Sequence, residues 1–160
     1  MTAAISASKR TITLGEKSYQ MSPLSYKEIG EFEEWMRSAY MEQQSKLCEH
    51  VPASMQSEFF VRAGATAGLL AMAVDKEANP DIFKVADSII RSLPGSTRLM
   101  WLSIRRNHPD VELDEIGEYL SDPSVLGSLL ATFNEMNTEP DAQTSGKAKK
   151  KVYKKRKTKR

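Results

Sequence analysis

Few residues in this sequence could carry out nucleophilic or acid–base chemistry. The chain has one cysteine, Cys48, and two histidines, His50 and His108. Cys48 and His50 lie two positions apart, and that spacing points two side chains to different sides of a helix, so a Cys–His dyad is not indicated. His108 precedes Pro109, where a role in capping or packing a helix end is the simpler interpretation. We therefore predict that the protein is not an enzyme.

Metal and cofactor sites are not indicated either. One cysteine and two histidines are too few for a structural zinc site, and the sequence has no glycine-rich phosphate loop. A calcium loop starting at Asp110 would need glycine at its sixth position and glutamate at its twelfth, where the chain has Glu115 and Ser121. The carboxylates that follow Asp110 are interpreted as a solvated face, as a docking patch for a basic partner, or as a patch that binds the chain's own basic end. These carboxylates are Asp110, Glu112, Asp114, Glu115, Glu118 and Asp122.

The chain is electrostatically divided into an acidic body and a basic arm. Residues 147–160 contain ten Lys or Arg and no Asp or Glu, whereas residues 1–146 contain 13 basic and 21 acidic residues. Such an arm favours a polyanion, either nucleic acid bound through its phosphates or an acidic protein, but it also suits a disordered solubilising end or a nuclear-import signal. The candidate polyanion-binding residues are Lys149, Lys150, Lys151, Lys154, Lys155, Arg156, Lys157, Lys159 and Arg160.

Composition and patterning predict a mainly α fold with one core. We expect a flexible N-terminus over residues 1–9, one helical domain over 10–137, and a linker with a disordered basic tail over 138–160. The domain should be a compact bundle of about five to six helices with a short N-terminal β-hairpin. The longest nearly apolar run, residues 63–74, is shorter than the ~18–20 residues that span a bilayer, so no membrane association is expected.

Local signals place the individual elements. Residues 10–23 alternate in polarity around a Gly-containing turn and predict the hairpin, which should pack on the helices or pair with another copy along an edge. Ser25 and Glu28 form a capping box that predicts the start of the first helix. Further helices are expected over 54–75, over 82–93 with Asp81 as the cap, and over 97–106, 113–120 and 123–136. Residues 93–95, Leu-Pro-Gly, are interpreted as the end of the third helix.

Three predicted helices offer apolar surfaces for packing or for a partner. Met36 and Tyr40 belong to a stripe on the first helix that is either core or a partner face. Gly64 and Gly68 lie in a run of small residues on the second helix, where close approach by another helix should offset the cost of two glycines. The helix over 97–106 contains Trp101 and is apolar nearly all round, so it should be the most enclosed element.

Residues 101–120 carry a sequence pattern that resembles a known protein family. Residues 101–109 form a Trp-Leu helix that ends in Arg, followed by His-Pro, and residues 111–120 form an acidic helix with an internal glycine, Gly117. This pattern resembles the tail assembly chaperones of long-tailed bacteriophages, and the N-terminal hairpin leading into an amphipathic helix is similar too. The resemblance covers residues 10–137 and is strongest over 101–120. The basic arm departs from the family pattern and keeps open a virion or head–tail joining protein that contacts DNA.

The resemblance implies a non-enzymatic role in the cytoplasm of the bacterial host. Such chaperones hold the long tape-measure protein soluble and help to recruit tail-tube subunits, which are therefore the expected partners. The virion is the expected location if the alternative holds. The candidate partner-binding residues are Met36, Tyr40, Gly64, Gly68 and Trp101.

Overall fold

The computed structural model describes residues 9–137, which form six helices and one two-stranded antiparallel hairpin. The prediction of a mainly α fold with an N-terminal hairpin is confirmed. Residues 1–8 of the expected flexible N-terminus and the linker with its basic tail lie outside the described residues, whereas Lys9 is described and donates to the Asn107 side-chain oxygen at 2.9 Å. The elements are β1 (Arg10–Leu14), β2 (Lys17–Met21), α1 (Tyr26–Cys48), α2 (Ala53–Leu69), α3 (Pro80–Arg91), α4 (Leu93–Arg105), α5 (Leu113–Leu120) and α6 (Pro123–Asn137).

The hairpin turns through two residues, Gly15 and Glu16, and Gly15 adopts a φ of 60°. A glycine in the first position of a two-residue turn suits the right-handed twist of the strands. The turn also approaches α5 closely, since a Cβ on Gly15 would lie 2.8 Å from Tyr119 Cε1. The inward side chains of both strands are buried, which places the hairpin on the helical core. These side chains are Ile12, Leu14, Tyr19 and Met21.

The capping box at the start of α1 is present as predicted. The Ser25 hydroxyl accepts from the backbone N–H of Glu28, and the Glu28 carboxylate accepts from the Ser25 N–H at 2.7 Å. The same carboxylate forms an ion pair with Arg106 just beyond α4. This contact ties the beginning of α1 to the end of α4.

The predicted extension of the second helix to residue 75 is wrong, because α2 ends at Leu69. Leu70 leaves the helix in an extended conformation and is fully buried. The chain after it is held by α1, since Arg37 Nε donates to the Leu70 carbonyl at 3.1 Å and Glu33 accepts from the Met72 N–H at 2.9 Å. The apolar residues after position 69 therefore enter the core instead of continuing the helix.

The predicted boundary between the third and fourth helices is also wrong. α4 begins at Leu93, and the Ser92 hydroxyl caps it by accepting from the Gly95 N–H at 3.2 Å. Pro94 lies in the first turn, where its missing N–H costs no helical hydrogen bond, so Leu-Pro-Gly starts a helix instead of ending one.

The start of the third helix differs from the prediction as well. α3 begins at Pro80 and not at residue 82, so Asp81 lies in its first turn and not at the cap. The cap position is occupied by Asn79, whose side chain makes no capping hydrogen bond. Proline at the first helical position explains the earlier start, because its fixed φ suits a helix.

The core is centred on α4, which contacts the hairpin, α1, α3, α5 and α6. Four of its large apolar side chains are essentially inaccessible, which agrees with the prediction that this helix is the most enclosed one. These residues are Leu99, Met100, Leu102 and Ile104. α5 and α6 begin where the sequence predicted. Among residues 9–137, no helix is both long enough and apolar enough to cross a bilayer.

Candidate partner-binding surface

α2 lies at the periphery and packs mainly on α1. Ala63 and Ala67 are buried on its inner side. Gln56 and Phe59, on the same side, are half-buried. Because α2 has a neighbour on one side only, its opposite side faces solvent along the whole helix.

The solvent-facing side of α2 has the spacing of an apolar helix face. Six exposed, uncharged residues recur at intervals of three and four, the pattern that normally marks a buried stripe. Val61 at its centre is 70% exposed and Phe60 is 39% exposed. We call this surface the outer stripe; it consists of Ser57, Phe60, Val61, Gly64, Ala65 and Gly68.

Gly64 and Gly68 leave open space beside the backbone of α2. A Cβ built on either residue would have no neighbour within 4 Å. The prediction that another helix approaches these glycines closely is therefore wrong for residues 9–137. Each glycine costs ~1 kcal/mol relative to alanine in a helix, and no packing within the described chain offsets that cost.

A cleft of about 370 Å³ lies beside the beginning of α2. Met55, Phe59 and His50 are among the residues that line it. The exposed ion pair between Glu58 and Arg62 (2.6 Å) flanks the cleft. The outer stripe thus has charged and apolar neighbours on one side. The remaining lining residues are Val51 and Pro52.

The other three predicted partner-binding residues do not lie on the outer stripe. Met36 is fully buried in the core, and Tyr40 is half-buried against it. Trp101 is half-buried, and its indole N–H donates to the Val111 carbonyl at 2.8 Å while the Arg105 guanidinium lies 4.6 Å from the ring centre. Met36 and Trp101 therefore stabilise the fold, and the structure does not bring the five candidate residues together.

The acidic cluster is partly used within the fold. Glu115 accepts hydrogen bonds from Lys17 Nζ at 2.6 Å and from the Tyr19 hydroxyl at 2.7 Å, and these bonds lower the pKa of Glu115. Burial and the nearby Glu115 carboxylate raise the pKa of Tyr19. Asp122 accepts from the Ser124 N–H at the start of α6. In the described part of the chain, no three His, Cys, Asp or Glu side chains are placed to hold a metal ion.

His108 has a structural contact that the sequence did not reveal. Its Nε2 accepts from the Gln20 N–H at 2.8 Å, and the Asn107 side-chain amide donates to the Gln20 carbonyl at 3.0 Å. Two side chains following α4 thereby bind the outer edge of β2. The His-Pro signal indicated a residue at a helix end, but nothing in its spacing identified β2 as the neighbour.

The predicted polyanion-binding residues between 149 and 160 lie outside the described residues. Comparisons of this chain with protein-family models, with curated proteins and with solved structures found no match.

Proposed function

We propose that this protein is a non-enzymatic tail assembly chaperone of a long-tailed bacteriophage, acting in the cytoplasm of the bacterial host. It binds the tape-measure protein and helps to recruit tail-tube subunits. The family proposal rests on the resemblance over residues 101–120. The observation that supports a binding role is the outer stripe, an uncharged helix face left in solvent.

The mechanism is the burial of apolar helix surface. A tape-measure protein is long and helical, so before assembly it exposes apolar stripes that need a cover. Gly64, Ala65 and Gly68 let another helix approach closely, and Phe60 and Val61 supply apolar contact area. Each 100 Å² of apolar surface removed from water contributes roughly 2.5 kcal/mol before the costs of association. Tyr40 and the cleft beside Met55 lie outside this stripe and are not needed for the contact.

Co-expression with a candidate tape-measure protein tests this proposal. Gly64→Glu puts a charge into the outer stripe without a clash, since the position is open. We expect the soluble tape-measure fraction, measured by sedimentation and immunoblotting, to fall about tenfold, the effect of ~1.4 kcal/mol. Gly127→Glu is the matched control, because Gly127 is an exposed glycine within α6 that also has open space around it. It should behave like the unchanged protein.

Two results would contradict the proposal. If the tape-measure protein is equally insoluble with and without this chain, the chaperone function is wrong. If Gly64→Glu and Gly127→Glu have equal effects, the function is not carried by the outer stripe.

A virion or head–tail joining protein is the second candidate, favoured by the ten basic residues in 147–160. Such a protein would remain in purified particles. It would bind DNA with an affinity that falls steeply with salt and that is lost when residues 147–160 are deleted.

A further inference from the structure

The two edges of the hairpin differ in how their backbone groups are bonded. The N–H and C=O of Gln20 bind His108 and Asn107, so both groups point away from β1. Gln20 is paired with Thr11, and in an antiparallel ladder the two members of such a pair point outward on opposite edges. The backbone groups of Thr11, and those of Thr13 two residues later, therefore point away from β2.

This outer edge of β1 is open within residues 9–137. Within residues 9–137, no backbone group of another element bonds to Thr11 or Thr13, and the Thr13 hydroxyl lies 3.5 Å from the Ser18 hydroxyl of the neighbouring strand. Both threonines are exposed, whereas Ile12 between them is buried beneath the strand. The edge therefore offers two N–H donors and two C=O acceptors.

We infer that β1 pairs with β1 of a second copy of this chain, antiparallel, about a two-fold axis at Ile12. In this register Thr11 of each copy lies opposite Thr13 of the other, and four backbone hydrogen bonds close the edge. The two hairpins become one four-stranded sheet. This inference rests on the strand edge alone and is independent of the proposed function.

The sequence of β1 suits pairing with itself more than pairing with an arbitrary strand. Thr11-Ile12-Thr13 is the same in both directions, so a two-fold axis places threonine opposite threonine and isoleucine opposite isoleucine. Threonine pairs across antiparallel strands are favourable. The two Arg10 residues lie at opposite ends of the paired segment, so they do not face each other. Each Arg10 also forms an ion pair with Glu135 of its own chain at 3.8 Å.

Three features that commonly prevent such pairing are absent from residues 11–13 of β1. Neither Thr11, Ile12 nor Thr13 is charged or a proline, and the ladder with β2 has no bulge. The contact is small, because four hydrogen bonds between short strands bury less than the ~1,200–2,000 Å² of a standard interface. We therefore expect a dimer that forms at high concentration and dissociates on dilution.

Analytical ultracentrifugation of the full chain over a concentration series tests the inference. Thr13→Pro removes an outward N–H without removing a hydrogen bond between β1 and β2, and should weaken dimerisation at least tenfold. Ser18→Pro is the matched control, because Ser18 is paired with Thr13 but points its backbone to the other edge. It loses the same hydroxyl contact and should dimerise like the unchanged protein.

Amide hydrogen exchange on the unchanged protein gives a second, independent measurement. The amides of Thr11 and Thr13 should exchange several-fold more slowly at high than at low protein concentration, and that of Ser18 should not change. If Thr13→Pro does not fold, this measurement decides the matter. A monomer at all concentrations, equal effects of the two proline variants, or concentration-independent exchange at Thr11 and Thr13 would overturn the inference.

Discussion

α2 and α4 are both ordinary helices in length, but their glycines have opposite surroundings. In α4, Gly95 and Ser96 are buried at the first turn, and a Cβ on Gly95 would lie 2.0 Å from the Ile89 carbonyl oxygen. In α2, Gly64 and Gly68 face open space. Small residues in α4 therefore permit close packing within the chain. Gly64 and Gly68 have no such use within the described residues, which is why we place the partner surface beside them.

The largest expected difference concerns the two helices' apolar side chains. Leu102→Ala in α4 removes a side chain that is 1% exposed, and should lower the free energy of unfolding by about 2–5 kcal/mol. Val61→Ala at the centre of the outer stripe should change it by no more than about 0.5 kcal/mol. Urea unfolding followed by circular dichroism measures both. A large loss from Val61→Ala would mean that α2 is packed on both sides.

An intermediate effect is expected for the ion pairs. Burial disfavours the charge of Glu28, but hydrogen bonds from Ser25 and Arg106 outweigh it, so the pKa of Glu28 is lowered. A lowered pKa in the folded state gives stability that is present above the ordinary value of 4.5 and is lost as the pH falls below it.

Glu28→Gln should therefore cost about 1.5–3 kcal/mol at neutral pH and should flatten the loss of stability in acid. The exposed α2 pair gives the control, since Glu58→Gln removes the partner of Arg62 and should cost less than about 0.5 kcal/mol. Denaturant titrations at pH 7 and pH 3.5 distinguish the two. Equal effects at the two sites would contradict this assignment.

Adding one methyl group to a glycine should have opposite effects on stability in the two helices. Gly64→Ala should raise the free energy of unfolding by up to about 1 kcal/mol, because helix propensity improves and nothing obstructs the methyl group. Gly95→Ala should lower it by about 1–3 kcal/mol, because α3 and α4 must move apart. Thermal unfolding of both variants measures the signs. A stabilising Gly95→Ala would show that the first turn of α4 is loosely packed.

Much of the fold could be predicted because local chemistry determined it. Three local signals located elements from the sequence alone: the capping box at Ser25, the Gly15 turn and the proline that opens α6. Each of these signals depends only on residues within a few positions of it. The predictions failed where a local signal had two meanings. Leu-Pro-Gly suits the end of one helix and the start of the next, and only the Ser92 cap decides between them.

The candidate surface was only half predictable for a related reason. The small side chains of Gly64 and Gly68 mark them as candidate contact residues, but Ala63 and Ala67 are also small and have the same spacing. Periodicity alone could not determine which of the two faces α1 would cover. The contact between His108 and Gln20 was not predictable at all, since it joins residues 88 positions apart.

That separation sets an order of events during synthesis. β2 is synthesised before the helices, yet the side chains that bond to it come 87 to 98 positions later. Two strands alone are marginally stable in water, so the hairpin has no lasting structure until residues through Glu115 have been made. Nascent chains shortened before that point should therefore show a helical signal but no protected strand amides.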